Sequence, residues 1–171
     1  MLDDVPAYVS EYAPKDWDVR MRKMPTVTGY AQSGLAPRDL VLGIRAFGAS
    51  RAFLYDAVSR DTLVQDHVGS GQVILVVGPD GQSVRAFERR VPGLTAIPEF
   101  YRVPPQQALE RAATATLLID DLTGSGWNFQ GCAISGKSRG ACLDRVGVIK
   151  DYWFDWRRYN PLTTIYRGQP H

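Results

Sequence analysis

Gln72-Val-Ile-Leu-Val-Val77 runs into Gly78-Pro79-Asp80-Gly81 and returns through Ser83-Val-Arg-Ala-Phe87. A short continuous apolar run bounded by turn residues has the character of a strand buried on both faces, and Gly-Pro-Asp-Gly supplies turn chemistry with a defined mechanism. The alternating return makes the pair a hairpin. The same pattern recurs along the chain. Val41 to Phe47 alternates, Gly48-Ala49-Ser50 turns, and Arg51 to Tyr55 resumes, giving a second hairpin. Asp61 to Asp66, Thr116 to Asp120 and Val146 to Ile149 read as further strands, and Leu162 to Tyr166 as an edge strand.

Helical signals are sparse. Gln106 to Ala113 holds helix-forming residues over a short length, after a proline-punctuated loop from Arg90 to Pro105. In Lys150 to Tyr159, Trp153, Trp156 and Arg157 recur at three- and four-residue spacing before Asn160-Pro161 stops the segment. Residues 1–37 differ in kind. Pro6, Pro14, Pro25 and Pro37 interrupt any helix, and single aromatics stand at Tyr8, Tyr12, Trp17 and Tyr30. The expected architecture is mainly β: an antiparallel, barrel-like or sandwich-like single domain over residues 38–171, with two short helices and an extended N-terminal arm over 1–37. The arm either wraps its own domain or binds other protein subunits through Tyr8, Tyr12 and Trp17. Met21 and Met24 fit it as apolar anchors.

Composition narrows the function classes. A chain of 171 residues suits one domain with a real core. The net charge of +2 is small and the basic residues are scattered, so nucleic-acid binding is not expected. No apolar run approaches the roughly 20 residues of a membrane span. Met1-Leu-Asp-Asp begins acidic rather than as a secretory leader, so a secreted form would be a mature or trimmed chain. Two cysteines with only His67 and His171 do not furnish a four-ligand zinc site, and neither metal nor cofactor is expected. There is no Ser-His-Asp order, G-x-S-x-G elbow or H-E-x-x-H.

Gly131-Cys-Ala-Ile-Ser-Gly-Lys137-Ser138 satisfies the phosphate-loop pattern G-x-x-x-x-G-K-[ST]. That chemistry needs a buried strand before the loop and a helix after it. Here the flanks are the turn-rich Thr123 to Gln130 and a segment punctuated by Gly140 and Gly147, poor material for a helix. Nucleotide binding through Gly131–Ser138 is the least favoured reading.

The same glycines fit another pattern. Asp120, Thr123-Gly124-Ser125 and Trp127, then Gly131, Ala133-Ile134, Gly136 and Gly140, followed by Tyr152-Trp-Phe-Asp-Trp-Arg157 with Pro161-x-Thr163, resemble a bacterial family known as domain of unknown function 3179. With Arg38 to Ile44 the resemblance covers roughly residues 38–166. It implies a mostly secreted or periplasmic setting and no assigned activity. Many members carry Trp-His-Glu ahead of Val-Asn-Asp, and Cys-Pro-x-Cys or Cys-Pro-x-Thr after the next strand. This chain has Arg60-Asp61-Thr62 and Gly78-Pro79-Asp80-Gly81 there, so no His/Cys chemistry carries over to it.

Two local features admit paired readings. Cys132 and Cys142 flank a reversal permitted by Gly136 and Gly140. They form either a disulfide, adding about 2.8 kcal/mol by loop closure, or a pair of buried or idle thiols. An oxidised pair implies a periplasmic or otherwise extracytoplasmic protein; free thiols fit the cytoplasm. The aromatics of Tyr152 to Trp156 either line a ligand groove or plug one end of the domain. Candidate ligand-binding residues are Asp120, Trp127, Trp153, Trp156 and Arg157. The leading functional expectation is a non-catalytic binding or accessory domain, a subunit of a larger assembly. The alternative is a small enzyme with a carboxylate-based site of Asp61, Asp66, Asp120 and Arg157.

Overall fold

The computed structural model describes residues 34–104 and 115–168, together with Asp16, Val19, Arg20 and Lys23. Strand β1 (Leu40–Ala46) and strand β2 (Ala49–Leu54) form the first hairpin. Its turn is Phe47-Gly48, one residue earlier than the sequence suggests, and both residues take positive φ, 52° and 79°. That pair of left-handed residues twists the turn to match its strands. Phe47 bears the strain because it is held: its ring lies over Gly71, and its carbonyl accepts the Ser70 N–H.

Helix α1 (Tyr55–Asp61) fills the stretch between the strands expected over Arg51–Tyr55 and Asp61–Asp66, and takes one residue from each. Only Ala57 and Val58 of its seven residues are buried, too little apolar pattern for the periodicity to register. Thr62, at φ 60°, ends the helix by donating its N–H to the Val58 carbonyl. Asp61 is therefore helical, and strand β3 (Leu63–Val68) begins only after Thr62. It pairs with β4 (Gly71–Val77), which pairs with β5 (Val84–Glu88) across the Gly78–Gly81 turn. There the Asp80 carboxylate accepts the Gln82 and Ser83 N–H groups.

Short strands β6 (Phe100–Arg102), β7 (Leu118–Asp120) and β8 (Gly126–Trp127) follow. The strand expected over Val146 to Ile149 divides at Gly147-Val148 into β9 (Arg145–Val146) and β10 (Ile149–Tyr152), which belong to different sheets. Helix α2 (Trp153–Tyr159) is the second half of the expected Lys150–Tyr159 helix, its first residues being spent on β10. Strand β11 (Thr164–Tyr166) lies at a sheet edge. The expected helix at Gln106–Ala113 and most of the 1–37 arm lie outside the described residues.

Three sheets stack. The first has order β10-β1-β2-β11, the second β3-β4-β5-β9 and the third β6-β7-β8. Every pairing is antiparallel except β2 with β11. No sheet among the described residues closes on itself, so of the two architectures expected the molecule is sandwich-like rather than a barrel.

The middle layer explains the opening sequence run. Val73, Leu75 and Val77 of β4 meet Leu42, Ile44 and Phe53 of the first sheet, while Ile74 and Val76 face Phe100, Leu118 and Trp127 of the third. A strand sandwiched between layers cannot afford a polar face. Strand β1 is covered likewise, its Val41 packing on Trp153 and Trp156 of α2. Gly43 makes that possible: a Cβ there would overlap the Trp156 indole.

Candidate functional site

Polar side chains concentrate in two regions. The first is built around Asp120, only 1% exposed at the end of β7. One carboxylate oxygen accepts the Thr123 N–H at 2.6 Å. The other accepts the Thr123 hydroxyl at 2.6 Å, the Trp127 indole N–H at 2.9 Å and the Ser125 N–H at 3.2 Å. Burial alone would raise this carboxyl's pKa, but the donors from Thr123, Trp127 and Ser125 outweigh it and hold it below the ordinary 3.8.

The network reaches further. Ser125 Oγ accepts the Ser138 N–H at 2.9 Å, and the Ser138 hydroxyl donates to Thr123 Oγ1 at 3.2 Å. Gly136, at φ 81°, packs against the Ser125 backbone where any side chain would collide. The Cys132–Cys142 disulfide forms and closes the loop that carries Gly136 and Ser138. The motif D-x-x-T-G-S-x-W thus has a physical content: one buried acceptor and the donors that satisfy it. Within the phosphate-loop match, Ser138 is committed to this network and Lys137 is exposed. The segment is turn and isolated bridge, followed by β9 rather than a helix.

The structure does not bring Asp61, Asp66, Asp120 and Arg157 into one site. Asp120 is enclosed by its own loop, and Arg157 lies over the Trp153 ring at 5.8 Å. Asp61 and Asp66 share a neighbour, Tyr166, whose hydroxyl donates to Asp61 at 3.4 Å. Burial raises the Tyr166 pKa, and both carboxylates push it further. Of the candidate ligand residues, Asp120 and Trp127 are hydrogen-bonded to each other, while Trp153, Trp156 and Arg157 ride together on α2. All three tryptophans are buried, at 0%, 1% and 5% exposure, with their ring faces taken by the cores.

The second region is a groove of about 810 Å³ at the tips of the two hairpins, and sequence reasoning missed it. Its walls are Arg45, Phe47 and Arg51 on the first hairpin, His67 on β3, and Tyr159 to Leu162 at and beyond the end of α2. Strand β11 begins opposite Arg51, so Ala49 and Ser50 at the groove have no paired strand on that edge among the described residues. Arg51 Nε donates to Asp66 at 2.8 Å and its terminal nitrogen to the Thr164 hydroxyl at 3.0 Å. Tyr159 is 73% exposed and Leu162 91%. The groove depends on pairing residues 51 and 164, and no local pattern announces such a contact.

The two positions that depart from the resembled pattern are also neighbours in space. The Val77 N–H donates to the Thr62 carbonyl, joining the end of α1 to the start of the Gly78–Gly81 turn. Among the described residues, no group of three or more His, Cys, Asp or Glu is placed to hold a metal ion, and no helix is long and apolar enough to cross a membrane.

A family model described as protein of unknown function (DUF3179) matches residues 8–163. The match starts well before the resemblance read from the motifs and takes in much of the N-terminal segment. No curated protein and no solved structure matches the chain.

Proposed function

The chain belongs to the DUF3179 family of proteins of unknown function, and from that premise we propose that it is a non-catalytic binding domain whose ligand lies in the groove at the hairpin tips. The observation that carries the reading is the contrast in how polar groups are spent. The Asp120 carboxylate, the first residue of the family signature, already accepts four hydrogen bonds from its own loop and is buried behind them. The groove instead presents Arg45, Tyr159 and Leu162 to solvent, in a concavity of the size small-molecule sites occupy.

The disulfide supports an extracytoplasmic setting for this binding, because cytosolic thiol buffers keep such pairs reduced. Assembly with other protein subunits through Tyr8, Tyr12 and Trp17 belongs to the same reading and rests on the sequence, since those residues lie outside the described ones. The test is NMR of the isotope-labelled full chain against a mixture of small organic fragments. Shifts clustered on Phe47, Tyr159 and Leu162 are expected. Shifts clustered on Ser125, Trp127 and Ser138 instead would overturn the assignment.

A further inference from the structure

We propose that the groove takes an organic monocarboxylate, its anionic head on Arg45 and its apolar body along Tyr159 and Leu162. This deepens the groove reading above and rests on it. The lining contains Arg45, Arg51 and His67 and not one Asp or Glu. The Arg45 side chain is exposed and makes no ion pair or hydrogen bond with any described residue. Arg51 is partly neutralised by Asp66, whose side chain is 12% exposed behind it. Arg51 is engaged by Asp66 and Thr164, which leaves Arg45 as the one uncommitted guanidinium of the groove, a match for a monoanion. A dianion such as a phosphate ester would bring a second negative charge with no second uncommitted cation to meet it.

Geometry sets the rest of the ligand. The planar guanidinium of Arg45 suits a carboxylate's two oxygens. Tyr159 and Leu162 stand at the rim as large exposed apolar surfaces close to one another in sequence, and Phe47 adds to the lining from the tip of the first hairpin. An apolar body laid there loses water on both sides of the contact. The carboxylate can belong to a free acid or to the C-terminus of a peptide; the recognising chemistry is the same.

Binding is to be measured by NMR titration of the full chain with ten matched pairs of carboxylate and primary amide, from phenylacetate and 4-phenylbutyrate to the tetrapeptide Gly-Gly-Leu-Phe and its C-terminal amide, with phenyl phosphate alongside. We expect groove-specific shifts from at least one carboxylate and at least tenfold weaker binding of its amide. Arg45→Gln should bring that carboxylate down to its amide's affinity while leaving the amide unchanged. Leu162→Asp, which adds a carboxylate at the rim, should act in the same direction. The free acids and the peptide distinguish the source of the ligand. Amides binding as well as carboxylates would overturn the anion assignment and leave the groove standing as a site. Phenyl phosphate binding more tightly than every carboxylate would overturn the single-charge argument. Shifts from all ligands falling outside the groove would overturn both readings.

Discussion

The Asp120 loop and the hairpin-tip groove both gather polar side chains, yet they use them in opposite ways. Around Asp120 every polar group turns inward on another: Thr123, Ser125, Trp127 and Ser138 are mutually satisfied beneath a disulfide. At the groove, Arg45 faces solvent with exposed aromatic and aliphatic rims. The difference separates two meanings of a polar cluster. Buried and satisfied, it fixes a conformation; open and charged, it has interaction energy left to give a ligand.

The contrast breaks most decisively at Asp120. Asp120→Ala should destabilise the protein by about 3 kcal/mol or more, since several buried donors lose their acceptor together. Urea unfolding measures it, and a loss below about 1 kcal/mol would mean the loop is not the rigid region. The carboxyl's lowered pKa gives a sign as well. A depressed folded value makes its stabilisation complete above the ordinary 3.8 and lost as pH falls through the folded value, so wild-type stability should decline below about pH 4 more steeply than that of Asp120→Asn.

Next in size is the disulfide. Reduction should cost at most about 2.8 kcal/mol, and thiol counting on unfolded, freshly isolated protein should find none before reductant is added. Two free thiols would remove the covalent half of the contrast and the support for an extracytoplasmic setting.

The groove should give the small effects. Asp66→Asn leaves Arg51 without its charged partner in a half-buried place, and should cost about 1 kcal/mol in thermal or urea unfolding. Arg45→Gln should change stability by less than about 0.5 kcal/mol, because an exposed side chain without a partner holds nothing in place. If Arg45→Gln proves strongly destabilising, the groove is architecture too and the comparison collapses.

How much of this the sequence announced follows the range of the interactions. The β4 run is legible because five consecutive apolar residues have no explanation but cover on both faces. The Asp120 motif is legible because its donors lie within seven positions of the carboxylate, and the Cys132–Cys142 pair because two glycines permit the reversal between them. Helix α1 escapes because two buried residues in seven make no period, and Thr62 ends it with a left-handed conformation no β-branched residue advertises. The Phe47-Gly48 turn escapes for a like reason: Phe47 adopts positive φ through contact with a hairpin tip some two dozen residues later. The groove escapes altogether, since it exists only after β11 settles beside β2, 113 positions from Arg51 to Thr164.

That last pairing also bears on the order in which the molecule is built. The first sheet draws β1 and β2 from one end of the described chain and β10 and β11 from the other, whereas the second and third sheets come mostly from the stretch between. A lone two-stranded hairpin is marginal in water, so β1 and β2, whose inner face meets β4, must wait with the outer face uncovered for strands and a helix synthesised later. Contacts of such long sequence separation make folding slow. Synthesis halted after Val148 would leave the first sheet as that bare hairpin, with its groove unformed and Trp153 and Trp156 missing from its outer face.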